Sequence, residues 1–205
     1  MPGPLRSTKL ILVEGKDEVT FYSAINSRTG RVDADIRSFE GVNNLRGTLE
    51  ALRGIEGFDL LTALGIVRDA EGNGNAAFQS VRDALRATGF AVPDRGLERA
   101  GTGPGVIILI NPHEGSMGRF EDVCAESVRD TTVMKCVEEY IACLKRLGKG
   151  MPAREWKTRV HTFIAAQEHP EVSLGVAANY GYFPFDHKAF ATVRRLFELL
   201  ATSDQ

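Results

Sequence analysis

The chain contains no long hydrophobic run. None of its apolar stretches approaches the roughly 18 residues needed to cross a bilayer, and no basic segment leading into an apolar core opens it. The expectation is therefore a cytoplasmic protein without membrane contacts. Cysteine is scarce too: Cys124, Cys136 and Cys143 are odd in number and form no CxxC pair, which argues against a disulfide framework or a zinc knuckle. Cys136 and Cys143, seven apart on an expected helix, read as core residues. His161, His169 and His187 have no ligand spacing, and His113, beside a proline, reads as a loop residue within reach of a strand end. Charge of one sign is also missing. Lys plus Arg is 25 against 27 for Asp plus Glu, a net charge of -2, so any nucleic-acid contact needs a local basic patch. No internal repeat, low-complexity tract or long linker divides the chain.

What is present is one sizeable core's worth of apolar residues, 43% of 205. Apolar runs of strand length occur at Lys9 to Glu14, Ala63 to Asp69 and Val106 to Asn111, with a weaker run at Asp35 to Phe39. Helical spacing lies between them: Leu45, Leu49 and Leu52 follow Asn43-Asn44, and Phe78, Val81 and Leu85 follow Gly74-Asn75, with asparagines offered as caps. The stretch from Pro93 to Gly105 reads as a long loop or insertion. Its Gly101-Thr102-Gly103-Pro104-Gly105 precedes a strand, so it is a turn and not a phosphate loop. Later helices are expected from near Arg119, at Thr132 to Leu147 with Val133, Cys136/Val137, Tyr140/Ile141, Leu144 and Leu147 inward, at Ala153 to Gln167, and at His187 to Leu200. The pattern predicts an α/β fold: a mostly parallel four-stranded sheet flanked by helices, with a core over 8–130 and a helical extension over 131–205 packed on it.

Acids gather where the apolar runs stop. Leu10-Ile11-Leu12-Val13 runs into Glu14-Gly15-Lys16-Asp17-Glu18, the third strand ends in Asp69-Ala70-Glu71, and the fourth in Asn111-Pro112-His113-Glu114, followed by Gly118-Arg119-Phe120-Glu121-Asp122. Residues two apart in extended chain point the same way, so Asp69 and Glu71 can address one point at the carboxyl edge of the sheet. Crowded carboxylates repel unless a cation sits among them, and an all-oxygen set suits Mg²⁺ or Mn²⁺, ions useful against phosphates. Asp17, Glu18 and Glu121 also fit a plainer role as favourable charges in a helix's first turn.

These residues resemble the Toprim superfamily, the catalytic module of topoisomerases, bacterial primases, the ribosomal-RNA maturase ribonuclease and the overcoming-lysogenization-defect (OLD) nucleases. Its signatures, a strand ending in Glu-Gly and a later one ending in Asp-x-Asp, correspond to Glu14-Gly15-Lys16-Asp17 and Asp69-Ala70-Glu71. The layout as a whole is similar to a stand-alone Toprim-like family related to the OLD nucleases. The resemblance implies a Toprim fold and Mg²⁺-dependent phosphodiester cleavage of DNA or RNA. Glu14 would be the general acid/base or a ligand, Asp69 and Glu71 would hold the metal, and Asp17 and Glu121 would complete a second metal position. One departure is Glu71 in place of the second aspartate, whose extra methylene moves its oxygens by roughly 1.5 Å.

Lys145, Arg146, Lys149, Arg154, Lys157 and Arg159 concentrate positive charge in one stretch. They read either as a solvated helix face or as the contact to a phosphate backbone. Two other functions compete: a Toprim-like binding or regulatory module that acts with a protein partner, and a phosphotransferase or phosphohydrolase with Asp69 as nucleophile, for which no lysine and Ser/Thr pair is evident at further strand ends.

Overall fold

The computed structural model describes residues 3–29, 32–113, 115–148 and 155–202. The three strong apolar runs form β1 (Lys9–Val13), β3 (Ala63–Asp69) and β5 (Gly105–Asn111), buried along nearly their whole length. A strand apolar on both faces needs a covering layer on each, which places these three at the centre of the sheet. β2 (Asp35–Ser38) is one edge and β4 (Arg99–Ala100) the other, in the order β2-β1-β3-β5-β4. All pairings are parallel except β4 with β5. The chain winds outward from β1 to β2, then returns past β1 to β3 and β5. The direction of winding therefore reverses between β1 and β3, and the carboxyl ends of those two strands flank the crevice where open α/β sheets bind ligands.

Alternation sorts the side chains into two cores. Leu10, Leu12, Leu64, Ile66, Val106, Ile108 and Ile110 pack with α2 (Leu45–Leu52) and α3 (Gly74–Ala87). Ile11, Val13, Val67, Ile107 and Leu109 share the other core with α1 (Lys16–Thr29), α4 (Phe120–Ser127), α5 (Thr132–Arg146), α6 (Glu155–Ala165), α7 (Leu174–Tyr180) and α8 (Ala191–Ala201). Gly65, in the middle of β3, makes room for α8: a Cβ there would stand 3.2 Å from Leu196 Cδ1 and 3.6 Å from Leu200 Cδ1. At the end of β5, fully buried Asn111 donates to the hydroxyl of fully buried Tyr22 at 3.2 Å, tying β5 to α1.

Several expectations are corrected. The sheet has a fifth strand, because the Pro93 to Gly105 stretch is pinned to β5 through β4 and through Leu97 N–H donating to Ile108 O at 2.9 Å. Cys136 and Cys143 are exposed, since α5 turns Met134, Val137 and Ile141 inward and leaves Tyr140 and Leu147 outside. Asn44 precedes α2 in helical conformation and donates its amide to Glu40 O at 2.6 Å instead of capping. Asn73, not Asn75, caps α3, accepting from Ala76 N–H at 3.1 Å. A 3₁₀ turn, Lys188–Phe190, precedes α8 where a continuous helix from His187 was expected. The start of α6 expected at Ala153 lies outside the described residues. Among the described residues no helix is long and apolar enough to cross a membrane.

Helix α7, short and absent from the sequence reading, is docked on α1 by Asp17. Asp17 Oδ1 accepts from Ser173 Oγ at 2.5 Å and from Gly175 N–H at 3.0 Å. A Cβ on Gly175 would lie 2.5 Å from Asp17 O and 2.7 Å from Thr20 Cβ. Gly175→Val is therefore expected to cost about 1–3 kcal/mol in urea unfolding. Gly47→Ala, within α2 where a Cβ meets nothing, should gain about 0.5–1 kcal/mol. Equal effects from the two substitutions would contradict this account of the α1–α7 contact.

Candidate functional site

Glu14 leaves β1 at the crevice with its own backbone fixed: its carbonyl accepts from Ser38 Oγ at 2.9 Å and from Gly41 N–H at 3.1 Å. The chain turns at once into α1. Gly15 N–H donates to Glu18 Oε2 at 2.5 Å, half of a capping box in which the carboxylate of the first helical turn reaches back to the residue before the helix. Asp69, 8% exposed at the end of β3, is held from the other side, its Oδ1 accepting from Phe120 N–H at 2.9 Å in the first turn of α4. Half-buried Glu121 follows Phe120 on the same turn. Four elements thus deliver Glu14, Glu18, Asp69 and Glu121 to one crevice, with the amino ends of α1 and α4 turned toward it.

Burial and neighbouring charge raise all four acids. Burial raises the Glu18 carboxyl to about 8, and repulsion from Glu14, Glu121 and Asp17 adds to it against the Gly15 hydrogen bond. Burial also lifts Asp69 well above the usual range, reinforced by Glu18, Glu121 and Glu14 and opposed by the Phe120 amide. Glu14 is raised by burial and by Glu71, with Arg68, Arg119 and the Asp69 amide pulling the other way. Glu121 is raised by burial, while its own amide, Lys157 and Arg119 counter this. Two oxygens have no hydrogen-bond donor: Glu14 Oε2 and Glu18 Oε1 are both buried without a partner. A buried, unpaired carboxylate oxygen is costly, and it is relieved by a proton or by a cation.

These orphaned oxygens fit a hard divalent cation in kind, because the four carboxylates offer only oxygen. Among the described residues, however, no three His, Cys, Asp or Glu side chains already converge on one point as a closed ligand shell. A cation would have to draw the carboxylates together as it enters.

Of the acids singled out from sequence, Glu14, Asp69 and Glu121 meet here. Glu71 lies beside them in the left-handed backbone region, φ 51, bonded to Gly118 by N–H···O contacts of 2.7 and 2.8 Å and ion-paired to Arg119 at 3.2 Å. Asp17 is occupied by α7. His113 is exposed, and Glu114 lies outside the described residues. In the basic stretch, Lys145 pairs with Glu155 at 3.0 Å, and Arg159 pairs with Glu138 at 2.6 Å and Glu155 at 2.7 Å. These partners hold the Glu155 carboxyl below its usual range. Arg146 is exposed, Lys157 stands beside Trp156 with its charge felt at Glu121, and Lys149 and Arg154 lie outside the described residues. A cavity of about 840 Å³ runs along β2, lined by Lys16, Arg37, Ser38, Glu40 and Asn43 among others, and none of the four carboxylates lines it.

Two residues of the crevice escape a reading by sequence. Glu18 looks like a capping acid and is one, but only one of its oxygens is used so. Arg119 looks like the polar residue before a helix. The signal for Glu18 was its place three residues after Gly15, the glycine between β1 and α1; Arg119 has no comparable signal.

The raised Glu18 carboxyl carries a sign. The folded protein binds a proton there that the unfolded chain releases near 4.5, so the folded state is favoured most below that value and loses the contribution as pH climbs to about 8. In chelator-treated protein, the urea midpoint should fall between pH 5 and 8.5, and Glu18→Gln should flatten that slope. A wild-type midpoint that rises across this window, or a slope unchanged in the variant, would contradict the assignment.

No curated protein matches the chain. Among solved structures, it is similar to the C-terminal region of the Xanthomonas campestris pv. campestris OLD protein, at 13% identity over 97% of this chain and 87% of that one, with a TM-score of 0.38. A family profile described as "Protein of unknown function (DUF3226)" matches residues 8–202. That match takes in every element of the fold from β1 to α8, and the chain belongs to the DUF3226 family.

Proposed function

We propose that this protein is a Toprim-type, Mg²⁺- or Mn²⁺-dependent phosphodiesterase that cleaves DNA or RNA. One observation carries the reading: four carboxyls with raised affinity for protons face the crevice between β1 and β3, and two of their buried oxygens, Glu14 Oε2 and Glu18 Oε1, lack any donor. The order of Glu14-Gly15 and Asp69-Ala70-Glu71 along the chain supports it. Glu18, Asp69 and Glu121 would hold the cation, which when bound supplies Lewis acidity and positive charge against phosphate oxygens, and Glu14 is left to move protons.

The chain's own groups do the rest. The Phe120 amide holds one oxygen of Asp69 and the Gly15 amide one oxygen of Glu18, leaving the second oxygen of each to turn toward a ligand. Glu14, raised above the usual carboxyl range yet open to the crevice, is suited to exchange a proton. It takes one from the attacking water as the new O–P bond forms, and returns one to the departing oxygen as the old P–O bond breaks. Lys157, beside Trp156, adds positive charge near Glu121 where a phosphate backbone would approach.

The second reading is a regulatory or binding module that acts within a complex. It is favoured by the lack of a closed ligand shell among the described residues. Both readings are testable together. With plasmid, single-stranded DNA and RNA as substrates in Mg²⁺ or Mn²⁺, cleavage is expected for at least one, and Glu14→Gln and Asp69→Asn should slow it by about 100-fold or more. Calorimetric Mn²⁺ affinity should fall at least about tenfold in Asp69→Asn. Absence of cleavage with Mn²⁺ binding indifferent to Asp69→Asn would decide for the regulatory module.

A further inference from the structure

Arg119 stands just before α4, at the lip of the crevice, and three restraints fix it. Its Nη1 lies 3.2 Å from Glu71 Oε1, and its guanidinium carbon lies 4.6 Å from the centroid of the Trp156 ring. Its backbone N–H donates to Asp122 Oδ2 at 2.8 Å. The partner acid is equally constrained, because the two N–H···O bonds between Glu71 and Gly118 tie the turn after β3 to the residue before Arg119. Gly118 adopts φ 128, and a Cβ there would meet Asp122 Oδ2 at 3.0 Å and Pro112 Cδ at 3.2 Å, so the approach to Arg119 has little freedom. Side-chain exposures of 34% for Arg119 and 40% for Glu71 leave the pair half-buried and accessible to solvent.

We propose that Arg119 is the second positive charge of this site: it holds Glu71 where a second metal ion would otherwise be held, so the centre takes one divalent cation and presents a guanidinium to the substrate phosphate. The inference rests on the metal-dependent reading above. Charge and shape both support it. The guanidinium also acts favourably on Glu14 and Glu121, so one arginine is the positive neighbour of three acids around the crevice. A second dication bound at Glu71 would have to displace this pair and then sit against a guanidinium that Trp156 keeps in place. The fork has five donors and the Glu71 contact uses one end, which leaves donors in the geometry that suits two phosphate oxygens. Arg119 is thus a substrate-binding residue, and Glu71 positions it.

The test counts metal ions. In calorimetric or paramagnetic-resonance titration with Mn²⁺, the full chain is expected to bind one ion. Arg119→Gln, which frees Glu71, should bind two, and Arg119→Gln combined with Glu71→Gln should return to one. Two ions in the wild type, or one in Arg119→Gln, would overturn the inference and leave the metal-dependent reading standing; no ion in the wild type would overturn both. Should Arg119→Gln fail to fold by circular dichroism, Arg119→Lys keeps the charge but not the fork. It is expected to stay at one ion while binding a short fluorescein-labelled oligothymidylate about tenfold more weakly by anisotropy in Ca²⁺. Undiminished oligothymidylate binding, or a second ion, would again overturn the inference.

Discussion

Like charges brought together out of water are the constraint around which this molecule is arranged. Glu14, Glu18, Asp69 and Glu121 each lose hydration at the crevice, and Glu14 and Glu121 repel both Glu18, raised to about 8, and Asp69. In isolation such a group of carboxyls favours whatever geometry separates them. Here the geometry is imposed by the sheet, whose central strands have no freedom to retreat: β1 and β3 are paired in fixed register from Lys9 with Ala63 to Leu12 with Ile66, so the residues that follow both strands emerge side by side.

The surrounding elements oppose the repulsion only in part. The amino ends of α1 and α4 point backbone N–H groups at the crevice, where a helix terminus favours negative charge. One amide from each is committed, Gly15 to Glu18 and Phe120 to Asp69. Arg68 and Arg119 act on Glu14, and Arg119 and Lys157 on Glu121. What remains unsatisfied is local and specific: one oxygen on Glu14 and one on Glu18. The rest of the fold serves this edge. α8 covers the middle of the sheet through Gly65, Asp17 locks α7 onto α1, and the Tyr22–Asn111 hydrogen bond ties the end of β5 to α1, whose first turn carries Glu18.

The parts of this arrangement that depend on short-range pattern were legible in the sequence. Unbroken apolar runs identified β1, β3 and β5, and the acids that end the first two runs marked Glu14 and Asp69 as candidates for the carboxyl edge of the sheet. What depends on long-range packing was not legible. Two-residue β4 carries no periodic signal, and the inward face of α5 is set by its neighbours, so Met134 is buried where Cys136 was expected. Glu18 was hidden by its own capping role, since a sequence cannot show that the second carboxylate oxygen faces other acids. Arg119 was hidden because its meaning comes from Glu71 and Trp156, residues far from it in the chain. The basic stretch from the last turn of α5 into α6 read as solvated charge or a phosphate contact, yet Lys145 pairs with Glu155 and Arg159 with Glu138 across the two helices, and Arg159 with Glu155 within α6.

The central claim is that these carboxyls hold protons in the absence of a cation and release them to one. The most direct measurement is ¹³C NMR of the side-chain carboxyls in protein labelled at glutamate and aspartate, titrated from pH 4 to 9 with and without Mg²⁺. The account predicts at least one carboxyl titrating near 8 without metal, lost in Glu18→Gln, and its shift to ordinary acidic values when Mg²⁺ is added. Carboxyls that all titrate below about 5 without metal, or a high titration that Mg²⁺ leaves in place, would contradict it.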